Sequence, residues 1–217
     1  MKIKQYMSKI LLVVMLWLPL SAIADNKIET FYKDPTYTHF IKSSETFKNI
    51  QTTQDPYAVA KVLIYSTLVL HKHPEFSSKI VNDFGTFDVY QKTIFYKSLI
   101  GAGFNKEANE ITQKYQFEVE SNRDLLNKIK DTQFLDTIKT RKELDFQAAI
   151  MDFCWVGYFA TGDEKYIVKL VDYAKKHQDV TSQDPHFIPM QAYFWASSAL
   201  AKQDPTIKEV LTKLKAP

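Results

Sequence analysis

Apolar residues recur at intervals of three and four positions along most of this chain, which is the periodicity of amphipathic helices. No segment shows the strict alternation of apolar and polar residues that is typical of a half-buried strand, and the whole sequence contains five glycines. Asp-Pro pairs supply helix starts, because Asp can cap a first turn while Pro occupies a position whose amide needs no acceptor. These pairs begin at Asp34, Asp55, Asp184 and Asp204. The pattern predicts an all-α protein.

The periodicity and the start signals together predict ten helices joined by short connections. Their approximate ranges are 35–49, 56–72, 75–84, 87–101, 106–118, 122–139, 142–160, 164–177, 186–201 and 205–214. Short connections favour antiparallel neighbours, and no linker rich in Pro, Gly or Ser divides the chain. We therefore expect residues 25–217 to form a single domain of antiparallel helical hairpins.

The first 24 residues have a different pattern. Three lysines precede an unbroken apolar run from Ile10 to Leu20, and an Ala-Ile-Ala triplet ends at Ala24. This order predicts an export signal that is cleaved after Ala24. The alternative, an uncleaved anchor, is disfavoured because eleven apolar residues fall short of the about 20 that a membrane span needs. We expect a periplasmic or secreted protein that begins at Asp25, with no stable membrane insertion.

The positive net charge belongs to this N-terminal segment. The chain has 28 basic and 25 acidic residues, and residues 1–24 contain three of the lysines and no acid. The remainder therefore carries 25 of each sign and is neutral. A nucleic-acid-binding protein needs a concentrated excess of cations to neutralise phosphates, so this class is excluded.

The most informative local pattern is FCWVGYFATGDEKYIVKL, residues 153–170. Apolar side chains surround the segment up to Phe159, which predicts a buried helix. Gly162 offers the left-handed conformation of a helix C-terminus, and Asp163 can cap the next helix. A catalytic corner around Cys154 would need a polarising base, and no His lies nearby in the sequence. We interpret the stretch as the corner of a helical hairpin, with Cys154 as a small buried residue.

This corner resembles the helical hairpins of the tetratricopeptide family. Tyr158 lies four residues before Gly162-Asp163, and Ala174 lies twelve residues after the glycine, as in the family's pattern. A second, shorter match places Ala108 five residues after Gly103.

The resemblance has two departures. Trp155 and Ile167 stand where the family has small residues at the crossing of the paired helices, so we expect these helices to lie further apart than in a regular repeat. The presumed turns near residues 73, 103, 162 and 203 are separated by 30, 59 and 41 residues, whereas the family period is about 34. The resemblance implies an irregular TPR-like stack of α-hairpins, and by analogy with the family a concave groove that holds a peptide or protein.

Two carboxylates are the candidates for catalysis. Asp145 and Asp152 are seven residues apart, so on a helix they share a face at a distance of about 10.5 Å. Such a pair could act as acid and base on envelope glycan or peptide. The alternative is a solvent-facing Asp145 near the helix start and a structural Asp152 bonded to a neighbouring helix.

The sequence favours neither a metal nor a cofactor. His71 and His73 are two residues apart and therefore point to different faces of a helix, and no His or Cys pair has the spacing of a metal site. No phosphate-binding glycine loop or nucleophile elbow is present.

An aromatic-rich segment near the C-terminus contains the candidates for binding. Phe187, Tyr193 and Trp195 could line a groove, and the alternative is that they pack in the core. The sequence thus favours a non-catalytic protein that binds a protein or peptide partner, as an adaptor, inhibitor or assembly factor, with the envelope hydrolase as the alternative.

Overall fold

The computed structural model describes residues 27–45, 56–117 and 148–217. Within these ranges the chain is helical and contains no strand, which confirms the all-α prediction. The predicted export signal, the predicted helix over residues 122–139 and Asp145 lie outside the described residues.

The described chain forms ten α-helices, numbered here in chain order. Two single 3-10 turns, Phe31–Lys33 and Phe84–Thr86, follow the first and fourth helices. The helices are α1 (Lys27–Thr30), α2 (Tyr37–Ser44), α3 (Pro56–Lys72), α4 (Phe76–Asp83), α5 (Val89–Gly101), α6 (Asn105–Tyr115), α7 (Ala148–Thr161), α8 (Lys165–Lys176), α9 (Phe187–Gln203) and α10 (Pro205–Lys213).

Most described helix boundaries lie within three residues of the predicted ones, whereas α2 spans Tyr37–Ser44 against a predicted range of 35–49. The helix predicted over 56–72 is α3, and α9 extends two residues beyond its predicted end at residue 201. Helix α1 was not predicted, because Asp34 supplied the first start signal of the sequence. No described helix combines the length and the apolar character that crossing a membrane requires.

The Asp-Pro pairs act in different ways. Asp204 caps α10 as predicted, since its Oδ1 accepts a hydrogen bond from the Thr206 amide at 2.9 Å. At Asp34 the prediction is corrected, because Thr36 provides the cap of α2 and accepts from the His39 amide at 3.2 Å. Threonine can replace aspartate here because either side-chain oxygen can accept from a first-turn amide.

Helix α7 lies at the centre of the molecule. It packs against α3, α8, α1 and α9, and α3 in turn packs against α5. Its side chains are buried around the whole circumference, as the absence of a polar face requires. The buried residues include Met151, Phe153, Trp155, Val156, Tyr158 and Phe159.

The corner between α7 and α8 has the local geometry of a helix stop followed by a new start. Gly162 has φ of +66°, and its amide donates to the Tyr158 carbonyl at 2.6 Å. Asp163 Oδ1 accepts from the Lys165 amide at 3.0 Å, at the first residue of α8. Only glycine adopts this backbone conformation without a steric cost, so Gly162 allows the chain to reverse here.

The Tyr166 ring of α8 packs directly against the backbone of α7 at Gly157. A Cβ atom at residue 157 would lie 2.6 Å from Cδ1 of the buried Tyr166 ring. The Tyr166 ring therefore fits at this position only because residue 157 has no side chain.

Candidate functional site

A carboxylate joins the two ends of the described chain. Asp204 is 7% exposed. Its Oδ2 accepts a hydrogen bond from the Tyr32 hydroxyl at 2.5 Å and forms an ion pair with Lys33 Nζ at 2.7 Å. Burial opposes ionisation, but the hydrogen bonds from Lys33, Tyr32 and the Thr206 amide outweigh it and hold the pKa of Asp204 below its ordinary value. Asp204 is therefore an ionised and fully engaged carboxylate.

Aromatic packing completes this cluster. The Tyr32 ring lies 4.7 Å from the Tyr158 ring, and its Cβ lies close to Gly162 at the α7–α8 corner. Burial and the hydrogen bond to Asp204 raise the pKa of Tyr32, so its hydroxyl stays protonated and acts as a donor. We call Tyr32, Lys33, Tyr158 and Asp204 the Asp204 corner; its groups satisfy one another, which is the arrangement of a structural contact.

Asp152, one of the two catalytic candidates, pairs with a cation from another helix. Its carboxylate forms an ion pair with Lys61 of α3, and both side chains are largely buried. This contact corresponds to the structural alternative for Asp152. The predicted separation from Asp145 stays a prediction, because residue 145 lies outside the described residues.

The lone cysteine is placed where it cannot react readily. Cys154 is fully buried in α7, and burial raises the pKa of its thiol to about 12. A nucleophilic cysteine needs the thiolate, so Cys154 behaves as a small core residue.

The histidines pack against aromatic rings. His73 stacks on Phe76 with ring centroids 5.2 Å apart, whereas His71 is exposed. His177 stacks on His186 at 3.8 Å, and His186 Nδ1 lies 3.2 Å from the Tyr173 hydroxyl. Among the described residues no group of three side chains has the composition and proximity of a metal site.

Helix α9 has an unusual surface. Its 17 residues include one charged side chain, Lys202. Three large apolar side chains are nevertheless exposed, with 49% of Ile188, 37% of Phe194 and 48% of Trp195 accessible to solvent. Ile188, Trp195 and Lys202 follow at intervals of seven residues and therefore lie on one line along the helix. We call these three residues the α9 stripe.

A groove lies between α9, α10 and the residues that follow α10. It has a volume of about 270 Å³, and Phe194 forms part of its wall. Lys208 carries the one charged side chain among the described residues that line it. We call it the α9–α10 groove; its lining is Tyr193, Phe194, Ser197, Ser198, Ala201, Lys208, Leu211, Thr212, Ala216 and Pro217.

Of the three predicted binding residues, Tyr193 is among those that line the α9–α10 groove, and the three differ in exposure. Trp195 is exposed on the stripe, and Phe187 is half-buried at the start of α9. Tyr193 is only 1% exposed, and burial raises its pKa to about 12. The exposed surface instead joins Trp195 to Ile188 and Phe194. The near absence of charge in α9 is the sequence signal that could have identified this surface.

Comparison of the chain with protein-family models, with curated proteins and with solved structures finds no match.

Proposed function

We propose that this protein is a non-catalytic binding protein, and that the α9 stripe and the α9–α10 groove hold a protein or peptide partner. The observation that carries the proposal is the exposure of Ile188, Phe194 and Trp195 on a helix with one charged side chain. A partner would cover these groups and remove their apolar surface from water. The role would be that of an adaptor, inhibitor or assembly factor.

Three features support this surface over others. Trp and other aromatic side chains contribute a large share of the binding energy in protein interfaces, and Trp195 is the exposed tryptophan of the described chain. The groove beside it offers a concave site for a side chain of the partner. Lysines at the rim, Lys202 and Lys208, provide the polar border that interfaces usually have.

The proposal includes a location and an architecture. Residues 1–24 would act as a cleaved export signal, so the partner would be found in the periplasm or outside the cell. The helical pairs would form an irregular stack of hairpins, with α9 and α10 as its last pair. A hydrolase using Asp145 and Asp152 is the less favoured function, because the ion pair with Lys61 accounts for the burial of Asp152.

Site-specific photo-crosslinking in the native cell tests the proposal. A photoreactive amino acid replaces Gln191, which is exposed between Ile188 and Trp195 on α9. The matched control carries it at the exposed Glu110 of α6. We expect a protein adduct from position 191 that is missing from position 110 and disappears on Trp195→Asp. The adduct is then identified by mass spectrometry, and its binding is measured with both purified proteins.

Two results would contradict the proposal. One is a set of adducts that is the same from both positions, or that survives Trp195→Asp. The other is a loss of function in the cell on combining Asp145→Asn with Asp152→Asn while the purified variant folds and keeps its adduct, since a binding protein does not need these carboxylates.

A further inference from the structure

We infer that the partner presents an acidic amphipathic helix, which lies along the α9 stripe and places an apolar side chain in the α9–α10 groove. This inference rests on the proposed function and adds the chemistry of the partner. It is carried by the order of groups along the stripe, the hydrogen bonding inside the groove and the charge of its border.

The stripe has the periodicity of a helix-binding surface. Ile188, Trp195 and Lys202 are spaced by seven residues, about 10.5 Å per interval, in the order apolar, aromatic and cationic. A second helix packed along α9 repeats its own side chains at the same interval. Helices that bind in this way use apolar anchors three, four and seven residues apart. The complementary segment therefore has two apolar residues and one acid at seven-residue spacing.

The groove suits an apolar side chain better than a polar group. Two of the four hydroxyls among its lining residues already donate within their own helices: Ser197 Oγ to the Tyr193 carbonyl at 2.7 Å, and Thr212 Oγ1 to the Lys208 carbonyl at 2.8 Å. The Tyr193 hydroxyl is buried and has no hydrogen-bond partner among the described residues. The remaining walls are formed mainly by carbon, from Phe194, Ala201 and Leu211 among others. A volume of about 270 Å³ accommodates a side chain as large as leucine or phenylalanine.

The border of the surface is cationic. Neither Lys202 nor Lys208 forms an ion pair with a described carboxylate. The acid between them in the sequence, Asp204, already forms an ion pair with Lys33 and a hydrogen bond with Tyr32. A partner with acids opposite these lysines gains attraction during encounter, whereas a basic partner meets like charges, which is a source of specificity.

A membrane surface is the other ligand class that combines apolar and anionic groups. Helices that lie in a membrane interface usually have a polar face rich in Lys and Arg, and α9 has one lysine. A concave groove also fits a projecting side chain better than a flat lipid surface. The observations therefore favour the protein segment.

Synthetic helical peptides test the inference. The acidic probe is about 18 residues long, with leucine, leucine and glutamate at seven-residue spacing and glutamate along its flank. The control probe has lysine at every glutamate position. Binding is measured by fluorescence anisotropy of a dye on each peptide. We expect the acidic probe to bind at least about tenfold more tightly than the basic probe, with an affinity that falls as salt is raised.

Variants of the protein give a matched control. Trp195→Asp should abolish binding of the acidic probe, and its circular dichroism should remain that of the parent because residue 195 is exposed. Lys202→Glu combined with Lys208→Glu should reverse the preference, so that the basic probe binds more tightly. The reversal cannot arise from unfolding, because an unfolded protein would lose both probes.

Several outcomes would overturn the inference. Equal affinities for the two probes, both lost on Trp195→Asp, would reject the acidic partner and leave α9 as the binding surface. Binding of neither probe would reject a helix of this chemistry while the crosslinking experiment still decides the proposed function. Binding to vesicles of anionic lipid that depends on Trp195 would assign the surface to a membrane. A dimer in sedimentation that Trp195→Asp dissociates would assign it to a second copy of the chain.

Discussion

Helices α9 and α10, with the turn between them, carry two groups of residues of opposite character. At the Asp204 corner a carboxylate with 7% exposure engages the Tyr32 hydroxyl, the Lys33 ammonium group and a backbone amide. Along α9, the large apolar side chains of Ile188, Phe194 and Trp195 are exposed to solvent. The first group places a charge in the interior, where apolar groups are usual, and the second places apolar groups on the surface, where charges are usual.

The difference separates contacts that stabilise the fold from the proposed binding surface. A buried charge is tolerated only when other groups of the folded chain satisfy it, so the Asp204 corner should stabilise the fold. Exposed Trp195 and Ile188 contribute little to the stability of the folded chain, because about half of each side chain remains hydrated. The comparison therefore predicts large effects on folding at the corner and small ones on the stripe.

The largest expected effect is that of Asp204→Ala. This change removes the cap of α10, worth about 1 kcal/mol, and leaves the Tyr32 hydroxyl without its acceptor, for about 1–2 kcal/mol more. We expect the free energy of unfolding in urea to fall by about 2–3 kcal/mol. Asp204→Asn keeps an acceptor for the Thr206 amide and should lose less. If the free energy of unfolding of Asp204→Ala were within about 0.5 kcal/mol of that of the parent, the Asp204 corner would not be a stabilising contact.

A smaller loss is expected for Gly162→Val at the α7–α8 corner. The backbone φ of +66° is strained for a β-branched residue, and the space around a Cβ there is ordinary, with Tyr32 Cβ at 3.5 Å. The cost is therefore conformational, about 1–2 kcal/mol. Gly162→Asn is the matched control, since asparagine tolerates the left-handed region and should retain much of the stability. Equal thermal unfolding of the valine variant and the parent would contradict the assigned turn.

Acid should selectively weaken the Asp204 corner. The pKa of Asp204 lies below its ordinary value in the folded protein, so its ionisation stabilises the fold above the unfolded pKa. That contribution is lost as pH falls through the lower, folded pKa. We expect the stability difference between the parent and Asp204→Asn to be constant near neutral pH and to shrink below about pH 4. A difference that is unchanged in acid would mean that the charge of Asp204 is not involved.

The smallest effects on stability are expected on the stripe. Ile188→Ser and Trp195→Ser remove exposed apolar groups, so the free energy of unfolding should change by no more than about 0.5 kcal/mol each. The buried Ile167→Ser is the control and should cost several times more, because it introduces a polar group into the core. A loss above about 2 kcal/mol for Trp195→Ser would show that this side chain supports the fold, and would weaken its assignment to binding.

Most of the described helices could be predicted from the sequence, because helix periodicity and local start and stop signals are properties of short segments. The boundaries of α3 and the turn at Gly162 follow from such signals. The contact between Gly157 and the Tyr166 ring could not be predicted from the sequence, since Tyr166 belongs to another helix. A glycine within a helix gives no indication of which neighbour will face it.

The candidate site could be predicted from the sequence only in part. The sequence identified the aromatic segment and Trp195, but it grouped Trp195 with Tyr193, which is buried. Choosing between their faces requires knowing that α7 and α10 cover one side of α9 and leave another open. The hydrogen bond between Tyr32 and Asp204 could not be predicted from the sequence either, because the two residues are 172 positions apart.

That separation has a consequence for the order in which the protein folds. The chain is synthesised from its N-terminus, so the segment around Tyr32 and Lys33 exists long before its acceptor does. Closing a loop of 172 residues is entropically costly and gains nothing until both ends are present. A nascent chain that has not reached Asp204 therefore lacks this contact of its N-terminal segment, although α1 and the Phe31–Lys33 turn can already pack against α7. The contact between Asp204 and the Phe31–Lys33 turn therefore forms only after residue 204 has been made.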